Sequence, residues 1–220
     1  METALEIIDA QGFYALSMRG LARRLKVFPA AVYWHAGTKS ELLALVSERV
    51  LEEIDIPNVD ILGWQDWTLE LGLRVRRVLG RHPRFASYFV TNIQVSRRAL
   101  ELTDATVGVL HRAGFRGQDL VDAYNSLFGS AFSWAAGEFA DEDDVQDASL
   151  RSGQEGIEGL LADAGPRDLV NIRENWPTIA NRIYGLRWSS GLSNPMDLSF
   201  ERMLRTLIDG FAARLAQQEP

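Results

Sequence analysis

Residues 16–43 read LSMRGLARRLKVFPAAVYWHAGTKSELL. Met18, Leu21, Ala22 and Leu25 fall at i, i+3, i+4 and i+7, the spacing of one apolar helix face. Ser17, just before them, is a preferred N-cap because its oxygen accepts from the free backbone N–H groups of the first turn. Pro29 suits the first turn of a second helix running to about His35, since its ring fixes a helical φ and its missing N–H has no partner there anyway. Thr38 and Glu41 form a T-x-x-E capping box ahead of a third helix lined by Leu42, Leu43, Val46 and Val50. Residues 17–25 and 29–35, joined by a turn at Lys26–Phe28, have the form of a helix–turn–helix, in which one helix holds a second in the major groove of DNA.

Charge supports this reading. Arg19, Arg23, Arg24, Lys26 and Lys39 lie in this stretch, and no acid occurs between Asp9 and Glu41. Residues 1–50 hold six Lys/Arg against five Asp/Glu, whereas the remainder holds 17 against 25 within a total net charge of −7. A locally basic block on an acidic chain indicates one face that meets a polyanion, because phosphate binding depends on the contacting face alone. Two helix starts, at Ser17 and beside Lys39, each offer backbone N–H groups to a phosphate.

The rest of the chain has helical period throughout and no strand alternation. Thr3 and Glu6 form a further capping box before Leu5, Ile7 and Ile8, and Gly12 ends that helix. Helices are expected over 64–80, 83–95, 96–113, 118–137 as one long element, 166–184 with a kink or break at Pro177, and 199–217. Acid-rich 138–158 and Gly/Ser/Asn/Pro-rich 185–198 read as loops. The fold class is therefore all-α, with a helix–turn–helix head at 1–55 and a larger helical bundle at 56–220.

The ordered set Leu16-Ser17-Met18-Arg19, Leu21-Ala22, Leu25, Val27, Val32-Tyr33-Trp34-His35, Lys39 and Glu41-Leu42-Leu43 resembles the DNA-binding head of the tetracycline-repressor (TetR) family of bacterial transcriptional regulators. The resemblance implies a homodimer whose two heads read a palindromic operator in double-stranded DNA, and release of that DNA by a small-molecule effector. It places Ser17 at a phosphate, Arg19 at a base edge or phosphate, and Pro29, Ala30 and Ala31 on the base-facing part of the recognition helix, while Phe28, a departure from the family pattern, is a DNA-contact candidate that either meets a thymine methyl or packs on the head. It gives Tyr33, His35 and Lys39 backbone-holding roles. Trp34 reads first as a core residue and second as a DNA contact. Lys26 stands where Gly is frequent and Phe28 where a Ser cap is frequent. Ala30 and Ala31 offer no side-chain hydrogen bonds, which leaves Arg19, methyl contacts and DNA shape for readout.

The bulk of the chain is rich in aromatic residues at helical spacing. Trp64, Trp67, Phe85, Tyr88, Phe89, Asn92, Tyr124, Phe128 and Phe132 are the candidates for lining an effector pocket, which would then take a partly apolar molecule. The tetracycline repressor holds a metal-chelated drug through a His of its sixth helix, and segment 83–95 here has no His. The wide apolar faces of 118–137 and 199–217 are expected to pair across a two-fold axis. His82 and His111 sit in no zinc motif, there is no Cys, and no P-loop, G-x-S-x-G or G-x-G-x-x-G occurs. No metal, cofactor or catalytic residue is expected, and the chain reads as a regulator rather than an enzyme. The absence of a long apolar run and of a signal-peptide pattern makes a cytoplasmic protein, not a membrane one, the expectation. The competing reading is a DNA-binding or protein-interaction module without effector control.

Overall fold

The computed structural model describes residues 1–91, 96–139, 153–165, 168–179 and 196–217, and among them every regular element is helical. The first four helices are α1 (Glu2–Gln11), α2 (Met18–Leu25), α3 (Pro29–Ala36) and α4 (Lys39–Glu52). Then follow α5 (Trp64–Arg81), α6 (Pro83–Thr91), α7 (Arg97–Arg112), α8 (Gly117–Tyr124) and α9 (Ser130–Phe139). The described helices end with α10 (Gly153–Asp163), α11 (Val170–Ile179) and α12 (Met196–Ala216).

Five stretches differ from the reading of the sequence. Helix α1 starts at Glu2, so Thr3 lies inside its first turn and makes no cap; the N–H groups of Ala4 and Leu5 already reach the Met1 carbonyl at 2.9 and 3.1 Å. The stretch expected as one helix over 118–137 is interrupted by a π-helical turn at Asn125–Gly129. Its buried residues Ala123, Leu127, Ala131 and Ala135 recur every fourth position, a spacing that drifts around a 3.6-residue helix; one widened turn corrects the drift. The expected acidic loop at 138–158 is helical at both ends: 138 and 139 close α9, and 153–158 fall in α10 (Gly153–Asp163). Helix α11 begins at Val170, after Leu169 turns the chain with φ 52°, and continues past Pro177. Of the expected loop at 185–198, the described residues 196–198 open α12. Residues 140–152 and 180–195, with the expectations that fall on them, lie outside the described residues.

Two clusters make the core. The first runs from Ile8, Leu21, Val32, Val46 and Val50 into Trp67, Val75, Leu79, Phe85 and Leu102, so α1–α4 and α5–α7 share one apolar interior. The second packs Leu110, Phe115, Leu127, Phe200, Leu204 and Ile208 between α7, α8, α9 and α12. Each fully buried large side chain contributes about 1.5–3 kcal/mol, so the shared interior fixes how the first four helices sit on the rest. The indole N–H of Trp67 donates to the Pro57 carbonyl at 2.7 Å and ties the segment after α4 to α5. Helices α5 and α9 approach closely at Gly80, where a Cβ would stand 2.9 Å from the Phe139 ring. Beside it Arg76 makes a two-pronged ion pair with Glu138 at 2.7 and 2.5 Å, and its guanidinium lies 5.4 Å from the centre of the Phe200 ring. Removing either partner of so buried a pair strands a charge, at a cost of about 3–5 kcal/mol.

Candidate nucleic-acid interface

Ser17 has extended backbone angles and its Oγ accepts from the Gly20 N–H at 3.0 Å. A Cβ on Gly20 would stand 2.8 Å from that oxygen, so the glycine leaves space for the cap. The Ser17 hydroxyl hydrogen stays available to an acceptor outside the protein, and Arg19 projects from the same exposed turn. Helix α2 closes at Lys26, whose φ 58° and ψ 39° are left-handed, and the Val27 N–H returns to the Ala22 carbonyl at 3.0 Å. This Schellman turn aims the chain into α3 with a non-glycine residue at its left-handed position, a strain of about 1–2 kcal/mol.

Helix α3 buries Val32 and half-buries Ala36, and turns its other side outward. Phe28 at its N-cap makes no capping bond and is 85% exposed, so packing on the head does not explain it. Trp34 is 82% exposed, which corrects its reading as a core residue: it lies across the helix from Val32, beside Ala30 and Ala31. Tyr33 and His35 are exposed as well, and the Trp34 and His35 rings meet edge to face with centroids 4.5 Å apart. Pro29 and Ala30 are exposed and Ala31 is partly so.

Gly37 ends α3 with φ 64° and ψ −129°, angles open to glycine alone, and the chain turns there into the Thr38–Glu41 capping box. The Glu41 N–H donates to Thr38 Oγ1 at 3.2 Å and the Thr38 N–H to Glu41 Oε2 at 2.6 Å; that backbone bond holds the Glu41 carboxyl below the ordinary 4.5. Lys39 is the first residue of α4, and one of its three N–H groups donates to the Phe13 carbonyl at 3.1 Å. Arg24 lies 3.5 Å from Glu6. Arg19, Arg23 and Lys26 meet no acid among the described residues, so their charge is open to a polyanion.

Residues that the sequence did not single out join this head to the remainder. Phe13 packs on α6, its ring edge-on to Phe85 at 4.9 Å and stacked on Tyr88 at 5.0 Å. His82 Nδ1 lies 2.9 Å from Asp9 of α1, and its Nε2 lies 3.4 Å from Glu53 after α4. Arg81 bonds Glu53 at 2.7 Å. Burial alone raises the Glu53 carboxyl, but the Arg81 hydrogen bond and the facing His82 outweigh it and hold the group below 4.5. A lone aromatic after a helix-ending glycine carried no periodic signal, which is why Phe13 was not legible.

The candidate effector residues divide. Phe85, Phe89, Phe132, Phe128 and Tyr124 follow one another ring to ring, at 6.0, 6.2, 4.7 and 5.4 Å, with Tyr88 beside the first. The Tyr124 hydroxyl pairs with Thr103 Oγ1 at 3.1 Å. Trp64 is not in this file of rings: it lies edge-on to Phe115 and packs against both cores. Trp67 is buried under an outer groove of about 360 Å³ lined also by Ile56, Pro57, Asp104 and Arg112. Asn92 lies outside the described residues. Among the described residues no cluster of His, Cys, Asp and Glu is placed to hold a metal, and no helix is long and apolar enough to cross a membrane.

Residues 1–46 match the family described as bacterial regulatory proteins, tetR family, and residues 57–215 match the tetracyclin repressor-like C-terminal domain. An HTH-type transcriptional regulator of Saccharopolyspora erythraea is 32% identical over 123 residues, covering 56% of this chain and 52% of that protein, so the match spans about half of that relative's length. The HTH-type transcriptional repressor DrrR1 of Streptomyces coeruleorubidus is 25% identical over 221 residues, 99% of this chain and 77% of its own. Among solved structures, the Streptomyces coelicolor TetR family protein ActR in complex with actinorhodin superposes with a TM-score of 0.74 at 24% identity, covering 97% of this chain and 95% of that one.

Proposed function

The chain belongs to the tetR family of bacterial regulatory proteins and is a DNA-binding transcriptional regulator, not an enzyme; from that premise we propose that it is a homodimeric repressor released from a palindromic operator by a partly apolar small molecule. In this reading residues 1–55 bind DNA and residues 56–220 bind the effector and dimerise. Ser17, Tyr33, His35 and Lys39 hold phosphates, Arg19 reaches a base edge or phosphate, and Phe28 to Ala31 with Trp34 face the bases. Operator DNA is met in the cytoplasm, where the protein then works.

The observation that carries the reading is the recognition helix itself. It leaves Phe28, Ala30 and Trp34 exposed, and the preceding helix and turn expose Arg19, Arg23 and Lys26, whose charges no acid among the described residues answers. Repression is supported by the near full-length likeness to a protein named as a repressor. For a dimer, α8–α9 exposes Val121, Gly129, Ser133 and Gly137, and α12 exposes Thr206, Gly210 and Ala213. Added Cβ atoms on Gly129 and Gly210 would meet nothing within 4 Å, which leaves room for a second copy's helices. Effector control is favoured over an uncontrolled binding module by the file of rings from Phe13 to Tyr124, which joins the head to the aromatic interior. The similarly folded ActR has a structure in complex with actinorhodin, a precedent for a bound ligand.

The coupling needs only that the ligand prefer a spacing of the two heads that no longer matches successive major grooves, about 34–36 Å apart. Sedimentation tests the dimer: a particle of twice the 24.6 kDa chain should bind one two-fold-symmetric site. A monomer at concentrations that saturate the operator would contradict the proposal.

A further inference from the structure

We propose that α3 reads thymine C5 methyl groups, so that each operator half-site carries thymine beneath Phe28, Ala30, Ala31 and Trp34; this rests on the operator-binding reading above. The outward side of α3 is as apolar as its buried side. Phe28 is 85% and Trp34 82% exposed, Pro29 and Ala30 are exposed, and Ala31 partly so. Trp34 lies across the helix from Val32, and the two alanines flank it one turn earlier. Phe28 occupies an N-cap position where a side-chain acceptor is preferred, and neither a capping bond nor packing accounts for an aromatic ring there.

The apolar side chains of α3 cannot read the other bases by hydrogen bonds. Reading cytosine N4–H needs an acceptor, and reading adenine N6/N7 needs a donor and an acceptor together. Phe28, Pro29, Ala30 and Ala31 have neither in their side chains, and Trp34 has one donor and no acceptor. Reading guanine O6/N7 needs a paired donor, which Arg19 supplies only at the flank of the helix. The C5 methyl of thymine is the one major-groove feature that an apolar surface recognises. Charge argues for duplex DNA as the occupant: exposed Arg19, Arg23 and Lys26 precede α3 in the chain and exposed Lys39 follows it, cations suited to the phosphates that border the bases.

Uracil substitution tests this, because it removes the methyl and keeps the pairing edge. The protein is titrated against the operator recovered from random duplexes, and against copies with single thymines replaced by deoxyuracil. Each methyl under α3 should weaken binding roughly fourfold when removed, the factor corresponding to about 0.8 kcal/mol for one buried methyl. Phe28→Ser and Trp34→Ala, both at exposed positions, should bring the thymine-to-uracil ratio near one at the base each covers, with helix content unchanged. Equal affinity for thymine and uracil operators overturns the inference, as does a full ratio in both variants or a half-site without thymine under α3. Failure of the operator-binding reading is distinct: no sequence would be recovered, and binding to any duplex would vanish as salt is raised.

Discussion

Phe13, in the turn that leads into the helix–turn–helix, stacks on Tyr88 of α6 with ring centroids 5.0 Å apart and planes 18° from parallel. Phe85 closes on the same ring from the side at 4.9 Å. A movement of α6 therefore shifts the support on which the DNA-binding helices rest, and movement of those helices shears an aromatic contact.

The pair should be energetically coupled. In a double-mutant cycle, Phe13→Ala and Tyr88→Ala should show an interaction of about 0.5–1.5 kcal/mol in urea unfolding, beyond the sum of their separate losses. Strict additivity would mean that the stacked rings carry no joint stability.

Backbone angles predict opposite effects at two turns of the head. Lys26 holds φ 58°, so Lys26→Gly should raise stability by about 1 kcal/mol. Gly37 holds φ 64° with ψ −129°, so Gly37→Ala should lower it by about 1–3 kcal/mol. Thermal unfolding of the two variants checks the signs; the same sign for both would refute the assignment of strain.

Arg19 has no acid partner among the described residues, so Arg19→Ala should leave thermal stability unchanged. If it contacts a phosphate, the slope of log affinity against log salt should fall by roughly one. Lys39→Ala should lower that slope similarly and also lose the bond to the Phe13 carbonyl. Unchanged slopes in both variants would remove these residues from the phosphate-contacting set.

The junction around Glu53 sets an acid limit. A carboxyl whose folded-state value is depressed stabilises the fold above its ordinary 4.5 and loses that contribution as pH falls through the lower folded value. Glu53 is faced by Arg81, His82 and Arg49. Wild-type melting temperature should therefore decline as pH drops below about 4.5, and Glu53→Gln should flatten that decline. Parallel curves for the two proteins would show that the junction does not carry it.

Much of the head was legible because its signals are local. Ser17, Pro29, Thr38 with Glu41, and the apolar spacing of α2 act through near neighbours, and the structure places the caps and the proline as read and buries Met18, Leu21 and Ala22, while Leu25, the last residue of the expected face, is exposed. Trp34 misled because a large apolar ring next to Val32 reads as core, and only the direction of the helix shows that it points outward. The break at Asn125–Gly129 was hidden because a four-residue apolar repeat looks continuous in sequence, whereas its drift in three dimensions forces a wider turn. The aromatic candidates were right in kind but not sorted: spacing along a helix does not say that Trp64 joins Phe115 while Phe89 joins Phe132. Asp9, His82 and Glu53, which meet through the tertiary fold, left no signal within one segment.

The central claim is tested most directly by selecting bound duplexes from a random pool with the purified full chain, at about 150 mM salt where non-specific binding is weak. The account predicts a palindrome with half-sites about one helical turn apart, occupied by a dimer. Recovery of no shared sequence, with binding that disappears as salt rises, would contradict it.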